Sequence, residues 1–445
     1  MPIDCRPKAR RKILMKPLIK LILIAAFIIV ILTGIFSACG KLSNKITIRA
    51  TYWGDLKEIA VITDTVKRFK EQNPGIEVHL ERYPAGDPYI EKLLTMIAGG
   101  APPDVMFINA EQYINFVESG TLMPLNDNIK KDNFNIGKYY KKIVDKYTID
   151  GKIYAIPRDI APVCVVYYNK KLFDDAKVKY PTNNWNWNDM AVKAEKLTKF
   201  NKDGLMTQYG FADDWNAWDV FVLCNGGSMV DDVKKPTKCV LDSKAAMDGI
   251  QFRKDLMYKY KVTPSPSNLS AMGGVGSADL FMQGKVAMFF SGIWKTPMFR
   301  DIKNFEWDVV MFPKNPQGKR AFAMSGSGYA VLKTTKHPDE AWKLVSYLAG
   351  EQGETELAQT GLAQPAIMSI AESKNFLDGQ DPKSKAFLLD AVNYGVFWPD
   401  YPRWTEALNA YIFPALDKVW SGDKDAKDVV PDMVKKINEN LFNKK

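Results

Sequence analysis

The stretch "NKITIRATYWGD" alternates apolar and polar residues, with Ile46, Ile48 and Ala50 on one side. This period of two predicts a strand that ends in an aromatic, turn-prone tip. A period near 3.6 follows, placing Ile59, Ile62, Val66 and Phe69 on one helical face until "NPG" at 73–75 stops it. "IEVHL" alternates again as a second strand. In "YIEKLLTMIAGG" the residues Ile90, Leu93, Leu94 and Ile97 form a helical stripe, closed by Gly99 and Gly100. "APPDVMFIN" then offers a continuous apolar run, Val105 to Ile108, of the kind buried on both faces of a parallel sheet. Strand, helix, strand, helix, strand is an α/β layout.

The pattern changes near Ile153. "IYAIPRDIAPVCVVYYNKKLF" reads as two extended segments broken by Pro157 and Pro162, a crossover into a second unit. In "VVYYN" the tyrosines Tyr167 and Tyr168 point to opposite faces, one to the core and one to the surface, which disfavours phenolate ligation of iron. Helices, loops and many tryptophans follow to about residue 320. "WDVVMFPKNPQGKRAFAMSGSGYAVLK" is again extended and returns the chain to the first unit. The helix "PDEAWKLVSYLAG" carries Ala341, Leu344, Val345 and Leu348 on one stripe. Two lobes joined by extended strands rather than a flexible tether imply hinged closure, with Pro157 and Pro162 of the crossover as expected hinge positions.

The N-terminus changes the reading of charge. Seven basic residues and the single acid Asp4 precede the apolar run Leu21 to Phe36. That is the layout of a secretory signal, although the run is long enough for an uncleaved membrane helix. "FSAC" resembles the lipobox of bacterial lipoproteins: Ser37, Ala38 and Cys39 match it, while Phe36 departs from the usual aliphatic residue. Cys39 is therefore expected to carry lipid and hold the protein at the membrane. Removing residues 1–38 lowers the formal charge from +10 to +4. The remaining cations are scattered among acids, with no basic stripe, so nucleic acid is not an expected partner. Cys164, Cys224 and Cys239 form neither a disulfide framework nor a zinc pattern, though Cys224 and Cys239 are a possible pair.

Candidate chemistry is thin on the enzymatic side. Two histidines are present, His79 in a strand and His337 before Pro338, and no nucleophile elbow, metalloprotease motif, P-loop or dinucleotide fingerprint accompanies them. "GGVGSAD" at 273–279 reads as a loop. Paired carboxylates for glycoside hydrolysis stay open, with Asp213 and Asp214 the first pair to examine. What the chain does have is indoles beside polar groups in loops: Trp53 with Asp55, Trp215 and Trp218 within "DDWNAWD", Trp294 in "FFSGIWKTP", and Trp398, Arg403 and Trp404 in "VFWPDYPRW". An indole face matches the flat C–H face of a pyranose, and planar polar side chains bind its hydroxyls. Ligands of open parallel sheets lie beyond the carboxyl ends of strands. Trp53 and Asp55 follow one such strand; Asn109, Glu111 and Gln112 follow another. Arg158, in the crossover, completes the candidate set.

"AGGAPPDVMFIN", "GKIYAIPRDIAPVCVVYYNKKLF", "NWNWNDM", "NGGSMV", "FMQGKVAMFFSGIWK" and "HPDEAWKLVSYL", in that order, resemble the extracellular solute-binding proteins of ABC importers, family 1, the family of maltose-binding protein. The resemblance covers nearly all of the chain past the leader. It implies an α/β, two-lobed type II periplasmic-binding-protein fold with the ligand cleft between lobes: residues 45–157 and 326–367 in one, 158–325 and 368–445 in the other, after a 1–38 signal and a 39–44 tether. It also implies that Trp294, Trp215 or Trp218, and Trp404 stack on sugar rings, that Asp55, Asn109, Glu111 and Gln112 bind hydroxyls, and that Gly326 to Tyr329 lie near a hinge. The expected protein is a monomeric, lipid-anchored carbohydrate carrier for an ABC permease, on the outer face of the membrane of a Gram-positive cell, without cofactor, metal or catalysis. A non-sugar cargo (iron, a polyamine or a peptide) and an extracellular glycoside hydrolase are the alternatives.

Overall fold

The computed structural model describes residues 45–443 other than Asp55 and Asn216. The leader, Cys39 and the 39–44 tether fall outside the described residues, as does the candidate ligand residue Asp55. Among the described residues, no helix is long and apolar enough to cross a membrane.

In chain order the strands are β1 (Ile46–Tyr52), β2 (Ile76–Arg82), β3 (Val105–Asn109), the hairpin β4 (Thr148–Ile149) and β5 (Lys152–Ile153), β6 (Ile156–Pro157), β7 (Ala161–Pro162), β8 (Val165–Asn169), β9 (Lys199–Phe200), β10 (Met206–Asp213), β11 (Val286–Ser291), β12 (Trp307–Met311), β13 (Phe322–Ser325), β14 (Ser327–Val331) and β15 (Gly395–Phe397). One five-stranded sheet has the order β2-β1-β3-β14-β6, a second the order β12-β8-β11-β10-β9. Each is mixed. β1 and β3 run parallel, as do β10 and β11, while β14 and β8 run against their neighbours.

Helices cover these sheets as the periodicity anticipated, with one instructive rotation. The helix Leu56–Gln72 buries Ile62, Thr65, Val66 and Phe69. The helix Asp87–Ala98 buries Tyr89, Leu93 and Met96, leaving Leu94 51% exposed. The Tyr89 hydroxyl explains the offset: it donates to the Phe107 carbonyl at 2.8 Å and meets Thr51 Oγ1 at 2.9 Å, seating the helix on its tyrosine edge. The helix Pro338–Leu348 buries the whole expected stripe of Ala341, Leu344, Val345 and Leu348. β8 corrects another expectation. Both Tyr167 and Tyr168 are buried, because both faces of this central strand are covered.

A third, three-stranded sheet, β15-β13-β7, joins the other two. The chain leaves the first sheet at β6, crosses through β7 and enters the second at β8; it returns from β12 through β13 to β14. β7 and β13 pair antiparallel, Ala161 against Ser325 and Pro162 against Met324, and β15 runs parallel to β13. Gly326 sits between β13 and β14 with φ 154°, and a Cβ there would stand 2.7 Å from the Asp159 carbonyl oxygen. Only glycine lets the two crossing segments approach this closely.

Candidate functional site

Four strand ends converge on the same space. β1 ends at Tyr52 next to Trp53, β3 at Asn109, β10 at Asp213 two residues before Trp215, and β11 at Ser291 three residues before Trp294. Parallel-sheet geometry puts the ligand side there. Two adjoining chambers result, of about 310 Å3 and 320 Å3, sharing Asn109, Trp294 and Ser325 as a common wall.

The first chamber collects Trp215, Trp294, Trp398 and Trp404 with Asn109, Glu111, Gln112 and Asp219. Trp294 and Trp215 stack at 5.8 Å and 28° between planes. The Trp294 ring lies over Gly292, where a Cβ would fall 1.9 Å from it; this is why the "SGIW" stretch needs glycine two residues before its indole. The Tyr167 hydroxyl reaches the carbonyls of Gly292 and Ile293 at 3.0 and 3.1 Å, fixing the turn that presents Trp294. Trp398 is held from two sides. Its Nε1 donates to Asp219 Oδ2 at 3.0 Å, and its carbonyl accepts from Lys146 Nζ at 2.9 Å. Lys146 is itself fully buried, ion-paired with Asp400, and burial lowers its pKa.

Three buried polar atoms lining this chamber have no partner: Asn109 Oδ1, Glu111 Oε2 and Trp404 Nε1. An unmatched buried donor or acceptor costs about 1–3 kcal/mol, so such groups together mark a place built to be completed by something else. Burial pushes the Glu111 carboxyl up to about 7, against the hydrogen bond from Ser325 and the charge of Lys146. Near neutral pH it can therefore both donate and accept. Asp219 is also raised by burial, partly offset by the Trp398 indole.

The second chamber is lined by Trp53, Glu58, Arg158, Asp159, Gly326 and Ser327, among others. Trp53 packs on Phe107 at 4.2 Å and edges Tyr89 at 4.9 Å. Arg158 is buried, and its guanidinium binds Glu58 at 2.8 Å, Asp159 at 2.8 Å and Ser327 Oγ at 3.3 Å. Asp159 also accepts the Ser327 backbone N–H at 3.0 Å. This network ties both crossing segments to the first sheet.

Two expected residues lie elsewhere. Trp218 is the first residue of the helix Trp218–Cys224, all seven residues of which are buried, and it lines neither chamber. The Asp, Asn and Ala around it in the sequence disguised a core position. Arg403 is drawn outward by a bidentate pair with Glu406 and a bond to the Asn440 carbonyl, and it lines neither chamber either. Asp213 is locked by a two-point bond with buried Arg253, and Asp214 by Lys295 at 3.1 Å and Ser291 at 3.0 Å. Cys164, Cys224 and Cys239 are free, buried thiols. Lining residues that sequence reasoning missed include Asp87, Ser325, Asn409 and Phe413. Asp87 follows the second strand and Ser325 precedes Gly326, so position was a usable signal for both. Asn409 and Phe413 sit in an unremarked helical stretch that gave none.

Two sheets, a third that joins them and an indole-lined groove with unmatched polar atoms define a hinged, two-lobed ligand-binding protein. Residues 53–355 match the bacterial extracellular solute-binding protein family, and the chain belongs to it. Among its relatives is the maltooligosaccharide ABC transporter solute-binding lipoprotein of Streptococcus pneumoniae, 26% identical over 413 residues, covering 88% of this chain and 90% of that one. Among solved structures, the ABC substrate-binding protein of Listeria monocytogenes in complex with cycloalternan superposes with TM-score 0.81 at 28% identity, covering 90% of this chain and all of that one. Maltose-bound MalE3 of T. maritima gives TM-score 0.76 at 21% identity, over 89% of this chain and all of that one, a likeness of fold.

Proposed function

We propose that this protein captures a carbohydrate in the indole-lined cleft and delivers it to an ABC permease, carrying out no chemistry of its own. The observation that carries this reading is the first chamber: four indole edges or faces around Asn109 Oδ1, Glu111 Oε2 and Trp404 Nε1, none of which has a partner within the fold. Stacking one sugar face removes roughly 100 Å2 of apolar surface from water, or about 2.5 kcal/mol. Two or three such platforms suit micromolar binding, about −8 kcal/mol. The names of the relatives, which bind maltooligosaccharide, maltose or cycloalternan, agree in ligand class.

The three-stranded sheet that joins the other two suggests how capture works. With lobe boundaries at 157/158, 325/326 and 367/368, Pro157, Pro162, Gly326 and Gly328 stand where the chain changes sheets, and small φ/ψ changes there close the jaws. Ligand shifts the population toward the closed form, which the permease reads. The lipobox-like "FSAC" supports anchoring through Cys39 on the outer membrane face of a Gram-positive cell, with the protein acting as a monomer.

A carbohydrate panel followed by intrinsic tryptophan fluorescence, with chromatography for product, tests the reading. A saturable change without turnover is expected. Cleavage would make the protein a hydrolase, and a silent panel would assign it another cargo.

A further inference from the structure

A hydrogen bond spans the mouth of the first chamber. Asn409 Nδ2 donates to Asp87 Oδ2 at 3.2 Å, and both residues line the chamber. Their backbones are held by different sheets. Asp87 opens the helix Asp87–Ala98, which Tyr89 seats on the first sheet through Thr51 and the Phe107 carbonyl. Asn409 precedes the helix Phe413–Trp420, whose Trp420 ring carries the Arg253 guanidinium at 4.4 Å; Arg253 in turn binds Asp213 at the end of β10, in the second sheet.

The backbone at Asn409 departs from the α-helix. Leu408–Ile412 form a π turn between the helices Trp404–Ala407 and Phe413–Trp420, and the Phe413 N–H donates to the Leu408 carbonyl five residues back. Pro414 accounts for the widening: it has no N–H for the Ala410 carbonyl, and in an α-turn its ring would strike that carbonyl. The wider turn changes which side chains share a face. At 3.6 residues per turn, Phe413 would lie about 180° around the axis from Trp404. The extra residue brings it back, so that Trp404, Leu408, Asn409 and Phe413 all line the chamber.

Building on the reading of this chamber as the capture site, we propose that Asp87 and Asn409 form a gate that retains the captured ligand. Asp87 is the fixed post, and Asn409 is the arm that the π turn aims at it. Their hydrogen bond sets how fast the ligand escapes rather than how fast it enters. Both side chains are exposed, so the bond opens readily, and the carboxylate makes it strong enough to slow that opening.

Stopped-flow tryptophan fluorescence of the folded chain with the tightest-binding saccharide of the panel gives both rates. Asp87→Ala and Asn409→Ala should each speed dissociation about threefold and leave association unchanged. The double variant should dissociate no faster than either single one, and Asp87→Asn, which keeps an oxygen for the Asn409 amide, should dissociate more slowly than Asp87→Ala. Additive effects, unchanged dissociation in both alanine variants, or an Asp87→Asn protein as fast as Asp87→Ala would overturn the gate while leaving carbohydrate capture standing. A second measurement needs no saccharide. The variant carrying both Asp87→Cys and Asn409→Cys should be joined between those positions by a short bis-maleimide, read by peptide mass spectrometry; Cys164, Cys224 and Cys239 are buried. Failure to join them would overturn the gate whatever the cargo. A silent panel with the two cysteines joined would overturn carbohydrate capture and keep the gate for another cargo.

Discussion

In the second chamber Arg158 reaches Glu58, Asp159 and Ser327, so its charge is answered from within the fold. In the first chamber Asn109, Glu111 and Trp404 each bury a polar atom that nothing answers. The two spaces share the wall that holds Asn109, yet beyond that wall the charges of the second are answered and the Glu111 and Trp404 atoms of the first are not. Burial alone does not make a functional group. Burial without a partner, beside a flat apolar surface, is what points to a ligand.

Breaking the answered side should cost stability. Arg158→Met removes the buried cation that Asp159 and Glu58 both face, a change worth about 3–5 kcal/mol. Thermal unfolding should show a large drop in Tm, and the Kd of the protein that remains folded should move only a few-fold. A Tm within a degree of the parent would show that the network is not a structural tie.

On the unanswered side, Glu111 sharpens the contrast through pH. Burial raises its carboxyl from an ordinary 4.5 to about 7, so the folded state keeps a proton that the unfolded state has lost. Stability must then fall as pH rises between those values, by about 3 kcal/mol from this group. Glu111→Gln should flatten that slope, and denaturant titrations of both proteins from pH 4.5 to 8 measure the difference. Parallel slopes would place Glu111 in water.

Trp294→Ala removes one stacking platform. A loss of about 2.5 kcal/mol corresponds to roughly 70-fold weaker saccharide binding, with a smaller Tm change than at Arg158. Calorimetry gives the number directly. The smallest effect belongs to Arg403→Ala: its exposed pair with Glu406 predicts unchanged Tm and unchanged Kd, and a weakened Kd would return Arg403 to the site.

Much of this was legible along the chain. Period-two and period-3.6 patterns located β1, the helix Leu56–Gln72 and the helix Pro338–Leu348, and the proline-broken segment marked the crossing. The strand-end rule put Trp53 and Asn109 at the chambers. What escaped depended on partners far away in sequence. Leu94 lost its buried face because Tyr89 found Phe107, and Trp218 looked like a loop residue because the helix that buries it is only seven residues long. Nothing in the sequence around Lys146 points to Asp400, 254 positions later, whose carboxylate pairs with it in the interior. Local pattern carries no information about such pairings.

The most direct measurement is a crystal structure of the protein with the tightest-binding saccharide of the panel. A pyranose face resting on Trp294 or Trp404, with sugar hydroxyls at Asn109 Oδ1 and Glu111 Oε2, is the expected result. A saccharide bound elsewhere, with those indoles bare and those oxygens still unmatched, would contradict it.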